Sequence, residues 1–237
     1  MGNSGLKQHI ETAKKTGVLK VSSNLNDFPP GFLQLEGNLR TLDLSDNKFI
    51  TLPIEISRFI HLKHLNVNKN KLNKIPDCVG ALTKLETFSM CHNSLSQLPR
   101  TITNLINLKH VYLSDNHFKE FPLVFCGLKY LDVLDLSRNE IKCVPSEVVG
   151  LHVTELNLNQ NQITELSSNV ADCPRLKTIR LQENCLQLQA IHSRILTDSK
   201  VSNMSLEGNL FEMKQLHELN GYEVYMERYT AVKKKFF

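Results

Sequence analysis

The chain has 237 residues and 41% hydrophobic residues, with 28 Lys plus Arg against 24 Asp plus Glu, a net charge of +4 and no Trp. That length suits one large domain or two small ones, and the mild, scattered positive charge speaks against the concentrated basic face of a nucleic-acid binder. No apolar run approaches the roughly 18 residues that a membrane-spanning helix requires.

The first residues read MGNSGLKQHIETAKK. Lys, Glu, His and Gln punctuate them, so they lack the apolar core of a secretory signal. With no export signal, the six dispersed cysteines are expected to be reduced thiols in the cytosol. Once Met1 is removed, Gly2 followed by Asn3 and Ser4 suits an N-myristoyl acceptor, although Leu6 stands where that pattern has Ser or Thr. Leu6, Ile10 and Ala13 form one stripe at helical spacing, which Gly17 ends. A myristoyl chain alone binds membrane with only about 10⁴ M⁻¹. Lys7, Lys14, Lys15 and Lys20 are the expected second signal, at about 1 kcal/mol each near an anionic leaflet. Residues 1–17 are therefore expected to be a lipid-anchor and amphipathic segment.

Residues 18–38, with NDFPPGFLQL, read as a capping half-repeat whose strand fits the downstream repeats only with a one-residue slip. Residues 39–210 form eight repeats. Leu39, Leu62, Leu85, Leu108 and Leu131 are 23 residues apart, and Val153, Leu176 and Val201 come after steps of 22, 23 and 25. Each repeat runs L-x-x-L-x-L-x-x-N-x-L, as in LRTLDLSDNKF and LKHVYLSDNHF. In L-x-L, alternate side chains face opposite sides of a short strand, so Leu42 and Leu44 enter the core while Asp43 faces out. Strands are expected to start near Thr41, Lys63, Glu86, Lys109, Asp132, Thr154, Lys177 and Ser202. The Asn column (Asn47, Asn70, Asn93, Asn116, Asn139, Asn161, Asn184, Asn209) is expected to turn inward and bond backbone groups that a tight turn leaves unpaired. Pro53, Pro76, Pro99, Pro122 and Pro145 open the convex return, where a fixed φ helps.

The stretch Leu186 to Lys200 leaves this pattern, and Leu188, Ile191 and Ile195 at helical spacing predict a convex helix. Residues 211–237 read as a helical cap with a basic tail. Leu216 and Leu219 mark a short helix, Gly221 its end, and Tyr222, Tyr225 and Tyr229 an apolar stripe on a second helix.

The repeats resemble those of the intracellular leucine-rich repeat family. That resemblance implies an α/β solenoid: a horseshoe with a parallel concave β-sheet, short convex helical or extended segments and a helical C-terminal cap. The two non-repeat ends, MGNS and YMERYTAVKKKF, are similar to those of a lipid-anchored member of that family, and the similarity brings no reaction or substrate with it.

Phosphate-binding, dinucleotide-binding, zinc-protease and nucleophile-elbow signatures do not occur in the chain. No catalytic residue, metal or cofactor is expected. His64 and His110 occupy equivalent strand positions two repeats apart, roughly 10 Å at the usual strand spacing, too far for one metal ion with bonds of about 2 Å. Cys78, Cys126, Cys143 and Cys173 read as small buried hydrophobes in or beside the return segments.

What remains is the concave face, which is mostly small and polar. Tyr112 is its one aromatic, with His64, Cys91, His92 and His110 around it, and Tyr and Arg are common interface anchors. A protein docking patch is expected over these residues and Asp135, Arg138 and Arg180. These features point to a monomeric, non-catalytic scaffold on the cytoplasmic side of membranes, with one protein partner on the concave face and no nucleic acid. The alternative is a regulatory subunit or inhibitor that covers a phosphatase, kinase or small GTPase.

Overall fold

Period-two alternation in L-x-L determines how each repeat begins. One residue of every three-residue strand points into the core and its two neighbours point out. The computed structural model describes residues 3–234, which divide into two compact units on either side of the His117–Phe118 bond.

In the first unit, helix α1 (Asn3–Thr16) leads into strands β1 (Val18–Lys20), β2 (Thr41–Asp43), β3 (His64–Asn66), β4 (Thr87–Ser89) and β5 (His110–Tyr112). They pair in parallel in that order. Leu19, Leu42, Leu65, Phe88 and Val111 fall in one register column, and all are buried. Burying each such side chain contributes about 1.5–3 kcal/mol before chain entropy opposes it. In the second unit, β6 (Val133–Asp135), β8 (Glu155–Asn157), β10 (Thr178–Arg180) and β11 (Asn203–Ser205) pair the same way. A second pair, β7 (Cys143–Val144) with β9 (Glu165–Leu166), lies in the return segments. The repeat strands begin at the expected residue or one later.

The capping half-repeat has its slip in the turn and not in the strand. Leu19 pairs directly with Leu42. The left-handed residue of this turn is Asn24, 22 positions before its counterpart Asp46, whereas the strands are offset by 23. The cap beyond this turn gathers Phe28 against Phe32, Phe49 and Phe59, with ring centroids 5.5 to 6.1 Å apart.

Each return segment is a short 3-10 turn. Pro53, Pro76, Pro99, Pro122 and Pro145 stand at the N-caps of five of them. Where the sequence has Ser167 at this point, its hydroxyl accepts from Asn169 N instead, at 3.2 Å. A side-chain cap thus replaces the fixed φ of proline.

Leu186 to Lys200 is less helical than its spacing suggests. A 3-10 turn covers Leu188–Ala190, and helix α2 is only Ser193–Thr197. Ile191 and Ile195 are buried but Leu188 is not. Extended backbone at His192 interrupts the run between them. At the C-terminal end, a 3-10 turn (Met213–Glu218) precedes helix α3 (Tyr222–Lys233). Gly221 joins them at φ 91°, where a Cβ would lie 2.5 Å from Thr197 Cγ2.

Of the four return-segment cysteines expected to be buried, only Cys173 is. Cys143 is exposed, because β7 alternates and gives its inward position to Val144. Cys78 is half-buried. Cys126, also half-buried, has its thiol pushed up to about 11 by burial and then by Glu147. Cys173 is buried, donates to Val148 O at 3.3 Å and is pushed up to about 12, again mainly by burial. None of these shifts favours a reactive thiolate.

Candidate binding face

The turn after each strand decides which side chains the strand face can offer. Asn93 is typical: Nδ2 donates to Val67 O and Met90 O at 3.0 and 3.1 Å, and Oδ1 accepts from Leu72 N at 3.0 Å. Asn47, Asn70, Asn116, Asn161, Asn184 and Asn209 also donate to backbone carbonyls of their own and the preceding repeat. The residue before each Asn is left-handed, with φ between 52° and 57° at Asp46, Lys69, His92, Asp115, Arg138, Gln160 and Glu183. A non-glycine residue there costs on the order of 1 kcal/mol, which the amide bonds of the next residue offset.

His92 and Arg138 therefore belong to the turn rather than to the strand. His92 Nδ1 lies 3.5 Å from a carboxylate oxygen of Asp115. Arg138 Nε donates to Gln160 Oε1 at 2.6 Å, and Gln160 in turn donates to Glu183 at 2.9 Å. Sequence spacing could have shown this, since both residues stand immediately before the Asn column.

Asp135 also has a local task. Its Oδ1 accepts from Ser137 N at 2.9 Å and from the Ser137 hydroxyl at 2.7 Å. Asp43, Asn66 and Asn157 bond the backbone N–H two residues on in the same way. This is an Asx turn repeated at the last strand position. Arg180 pairs with Glu155 on the adjacent strand at 2.9 Å. Asp135, Arg138 and Arg180 thus each have a polar partner of their own within the second unit.

The first unit is different. The register places Thr87 between His64 and His110, and Ser89 between Asn66 and Tyr112. His64 is exposed, and His110 and Tyr112 are half-buried. Among the described residues, none of these three side chains has a polar partner. Cys91 is half-buried and held by its backbone, which accepts from Lys69 N at 2.9 Å and donates to Asn68 Oδ1 at 2.6 Å. The face so formed can present two imidazoles and a phenol to a partner without first breaking an internal bond. No group of three or more His, Cys, Asp or Glu among the described residues could hold a metal ion.

Gly2 lies outside the described residues. Lys7, Lys14, Lys15 and Lys20 are exposed. Lys14 pairs with Glu11 at 2.7 Å and Lys20 with Asp43 at 3.4 Å. The stripe they flank is turned inward, with Ile10 and Ala13 buried. Of the C-terminal lysines, Lys233 lies over the Tyr229 ring at 4.5 Å. Among the described residues, no helix is long and apolar enough to cross a membrane.

The strongest polar cluster that sequence reading missed is at the C-terminal end. Arg228 donates to Val201 O at 3.0 Å and Leu196 O at 2.6 Å. The Tyr225 hydroxyl accepts from Met204 N at 3.0 Å. The aromatic spacing in YMERYT identified the tyrosines, but nothing local marks the arginine.

Leucine rich repeat profiles match residues 38–59, 60–118 and 151–165. Over 88 residues the chain is 34% identical to the leucine-rich repeat and calponin homology domain-containing protein 1 of Mus musculus. It is 37% identical over 67 residues to an adenylate cyclase of Schizosaccharomyces pombe. These matches take in 35% and 28% of this chain but only 12% and 4% of those proteins. Among solved structures, an LRR protein of Leptospira interrogans superposes with a TM-score of 0.74 at 33% identity, covering 80% of this chain and 48% of that one. An internalin from Listeria monocytogenes shares the fold, with a TM-score of 0.63 at 19% identity over 90% of this chain and 67% of that one.

Proposed function

Starting from a chain that is a leucine-rich repeat protein, we propose that it is a non-catalytic interaction scaffold that docks a protein partner on the strand face of its first unit. The observation that carries this is the contrast between His64, His110 and Tyr112, which have no internal polar partner, and the engaged side chains of the second unit. A rigid aromatic on a sheet is a low-entropy anchor for an interface. Proximity labelling in cells tests the reading. Tyr112→Ala is expected to lose the partner labelled by the native chain while the melting temperature stays within about 2 °C, as surface changes usually do. Loss of that partner only on changing Arg58, in a return segment, would place the interface elsewhere. A labelled enzyme whose rate changes on binding would identify the scaffold as a regulator.

The same reading includes a reversible lipid anchor at Gly2. MGNS supports it. The apolar stripe of α1 is turned inward, so in this reading attachment falls to the acyl chain and the exposed lysines alone. A single chain gives only marginal binding, so residence would depend on ionic strength. Intact-mass measurement of protein from eukaryotic cells should show one added acyl group, and Gly2→Ala should move the protein to the soluble fraction. An unmodified mass removes the anchor and leaves the scaffold reading intact.

A further inference from the structure

Away from the strand face, the first unit has a polar pocket of about 280 Å³ lined by Lys15, Gly17, Gly37, Asn38, Arg40 and His61, among others. It forms where α1 ends and the chain enters β2. The Gly17 carbonyl accepts from Arg40 N at 2.8 Å and Thr41 N at 3.1 Å. Asn38 Nδ2 donates to Lys14 O at 2.5 Å. The pocket walls are therefore held by backbone bonds, and the position a Gly37 Cβ would occupy opens on empty space.

Its charge is one-sided. No carboxylate lines the pocket. Glu36, beside it in sequence, is taken by Arg58 Nε at 2.6 Å. Elsewhere in the unit, Lys14, Lys20, Lys63, Lys69 and Lys109 have acidic partners, whereas the exposed Lys48, Lys71 and Lys74 have none among the described residues and lie outside the pocket. The Lys15 and Arg40 side chains have no hydrogen bond or ion pair among the described residues, and both residues are exposed. A third cation, Lys84, lies with Nζ 3.0 Å from His61 Nδ1. An ammonium group only donates, so Nδ1 accepts and the ring proton resides on Nε2. The pocket thus has an arginine fork, a free ammonium and an imidazole backed by a second ammonium, with no carboxylate in its lining and with the Ala13 and Lys14 carbonyls of the helix end already bonded by Gly17 N and Asn38 Nδ2.

We propose that this pocket binds a phosphate monoester carried on a small polyol, either as a lipid headgroup or as a free soluble phosphate. Guanidinium groups match phosphate oxygens with two parallel bonds, and lysine adds a point charge. The lining has no large apolar side chain to seat residues that flank the phosphate of a phosphopeptide, which favours a phosphate on a small polar carrier. The site lies at the C-terminal end of α1 and does not depend on acylation.

The test uses the unacylated full chain, two probes and a phosphoserine peptide as the comparison. Soluble inositol trisphosphate is titrated while amide shifts are followed. Separately, the protein is floated with phosphatidylcholine vesicles carrying phosphatidylinositol phosphates or, at equal surface charge, phosphatidylserine. The expected result is a saturable shift at Gly17, Gly37 and Arg40 and a preference for the phosphoinositide vesicles. Arg40→Gln with Lys15→Gln should weaken both by about tenfold or more, while Lys74→Gln, at an exposed lysine away from the pocket, changes them less than twofold. Binding of the soluble probe alone assigns the site to free phosphates, and vesicle binding alone assigns it to lipid. The proposal is overturned by equal capture on phosphatidylserine with Lys74→Gln as damaging as Arg40→Gln, by no binding of inositol trisphosphate or vesicles, or by binding of the phosphoserine peptide only. All three positions are exposed, so unchanged melting of the variants separates loss of binding from loss of fold.

Discussion

The two ends of the repeat array are closed by different chemistry. At the N-terminal end, α1 lays Ile10 and Ala13 against the cap, and Ile10 sits so close to Gly31 that a Cβ there would meet Ile10 Cδ1 at 2.6 Å. Strand β1 also continues the ladder, with Val21 N donating to Asp43 O at 2.9 Å. At the C-terminal end the last strand meets a helix that supplies polar groups. Tyr225 takes the Met204 N–H, and Arg228 takes carbonyls around the end of α2. A repeat cannot bury its own apolar face, so both ends need covers. An end strand must also satisfy a row of backbone groups, and the two covers divide these tasks differently. The first end relies on shape, the second on hydrogen bonds.

The comparison is most directly broken at the apolar end. Ile10→Ala is expected to cost about 2–4 kcal/mol in denaturant unfolding, the range for emptying a buried aliphatic site. Hydrogen exchange should speed up first at the β1 amides. A cost below about 1 kcal/mol would mean that α1 does not close this end. At the other end, Arg228→Gln is expected to cost about 1.5–3 kcal/mol, since it removes charge-assisted bonds to carbonyls that stay largely away from water. Burial already lowers the Arg228 pKa from its ordinary range, so the group depends on those carbonyls. Faster exchange confined to α2 and α3 would support this, and uniform exchange across the second unit would contradict it.

How much of this was legible in the sequence depends on which constraints repeat. Leu42, Leu44 and Asn47 recur in every unit, so the strands, their register and the Asn bonds could be read from spacing. The left-handed residue before each Asn recurs too, but its identity varies from Asp46 to His92 to Arg138, and a backbone conformation leaves no fixed residue type behind. Reading His92 and Arg138 as face residues was the consequence. Devices used once leave no period at all. Arg228 acts across 27 residues on Val201, and Ser167 caps a turn where five others have proline. Of the candidate face, strand alternation picks out Tyr112 as its one aromatic, but it could not show that Asp135 and Arg180 were already engaged.

Tyr225→Phe sharpens the contrast further. It leaves the Met204 N–H without its acceptor, at a cost of about 1–2 kcal/mol. It should also change the alkaline limit. Burial, then the neighbouring Tyr229 and Tyr222, raises the Tyr225 pKa above its ordinary value of 10.0. A raised folded pKa means the folded chain keeps its proton longer than the unfolded one. The associated stability is complete below the unfolded value and is lost as pH rises through the folded one. Thermal melts of the native protein should therefore fall above about pH 10, and the Phe variant should lose that part of the decline. Identical alkaline slopes would show that the phenol does not report on this end.

The smallest expected effect lies between the ends, where ion pairs tie successive repeats without closing anything. Glu86 accepts from Lys63 and Lys109, each at 2.7 Å, and its side chain is 23% exposed. The bond from Lys109 and then that from Lys63 lower its pKa from 4.5 to about 2. Here the folded state binds protons less readily than the unfolded one. The stabilisation is present above about pH 4.5 and disappears as pH falls through about 2. Solvent reaches all three side chains, so Glu86→Gln should cost about 1 kcal/mol or less at neutral pH. The difference from the native protein should shrink steadily through the acid range and with added salt. Exchange at the α1 and α3 amides should stay as it is, since neither cover touches this ladder. If Glu86→Gln instead loosened either end, closure would be a property of the whole array and the division between a packed end and a hydrogen-bonded end would fail.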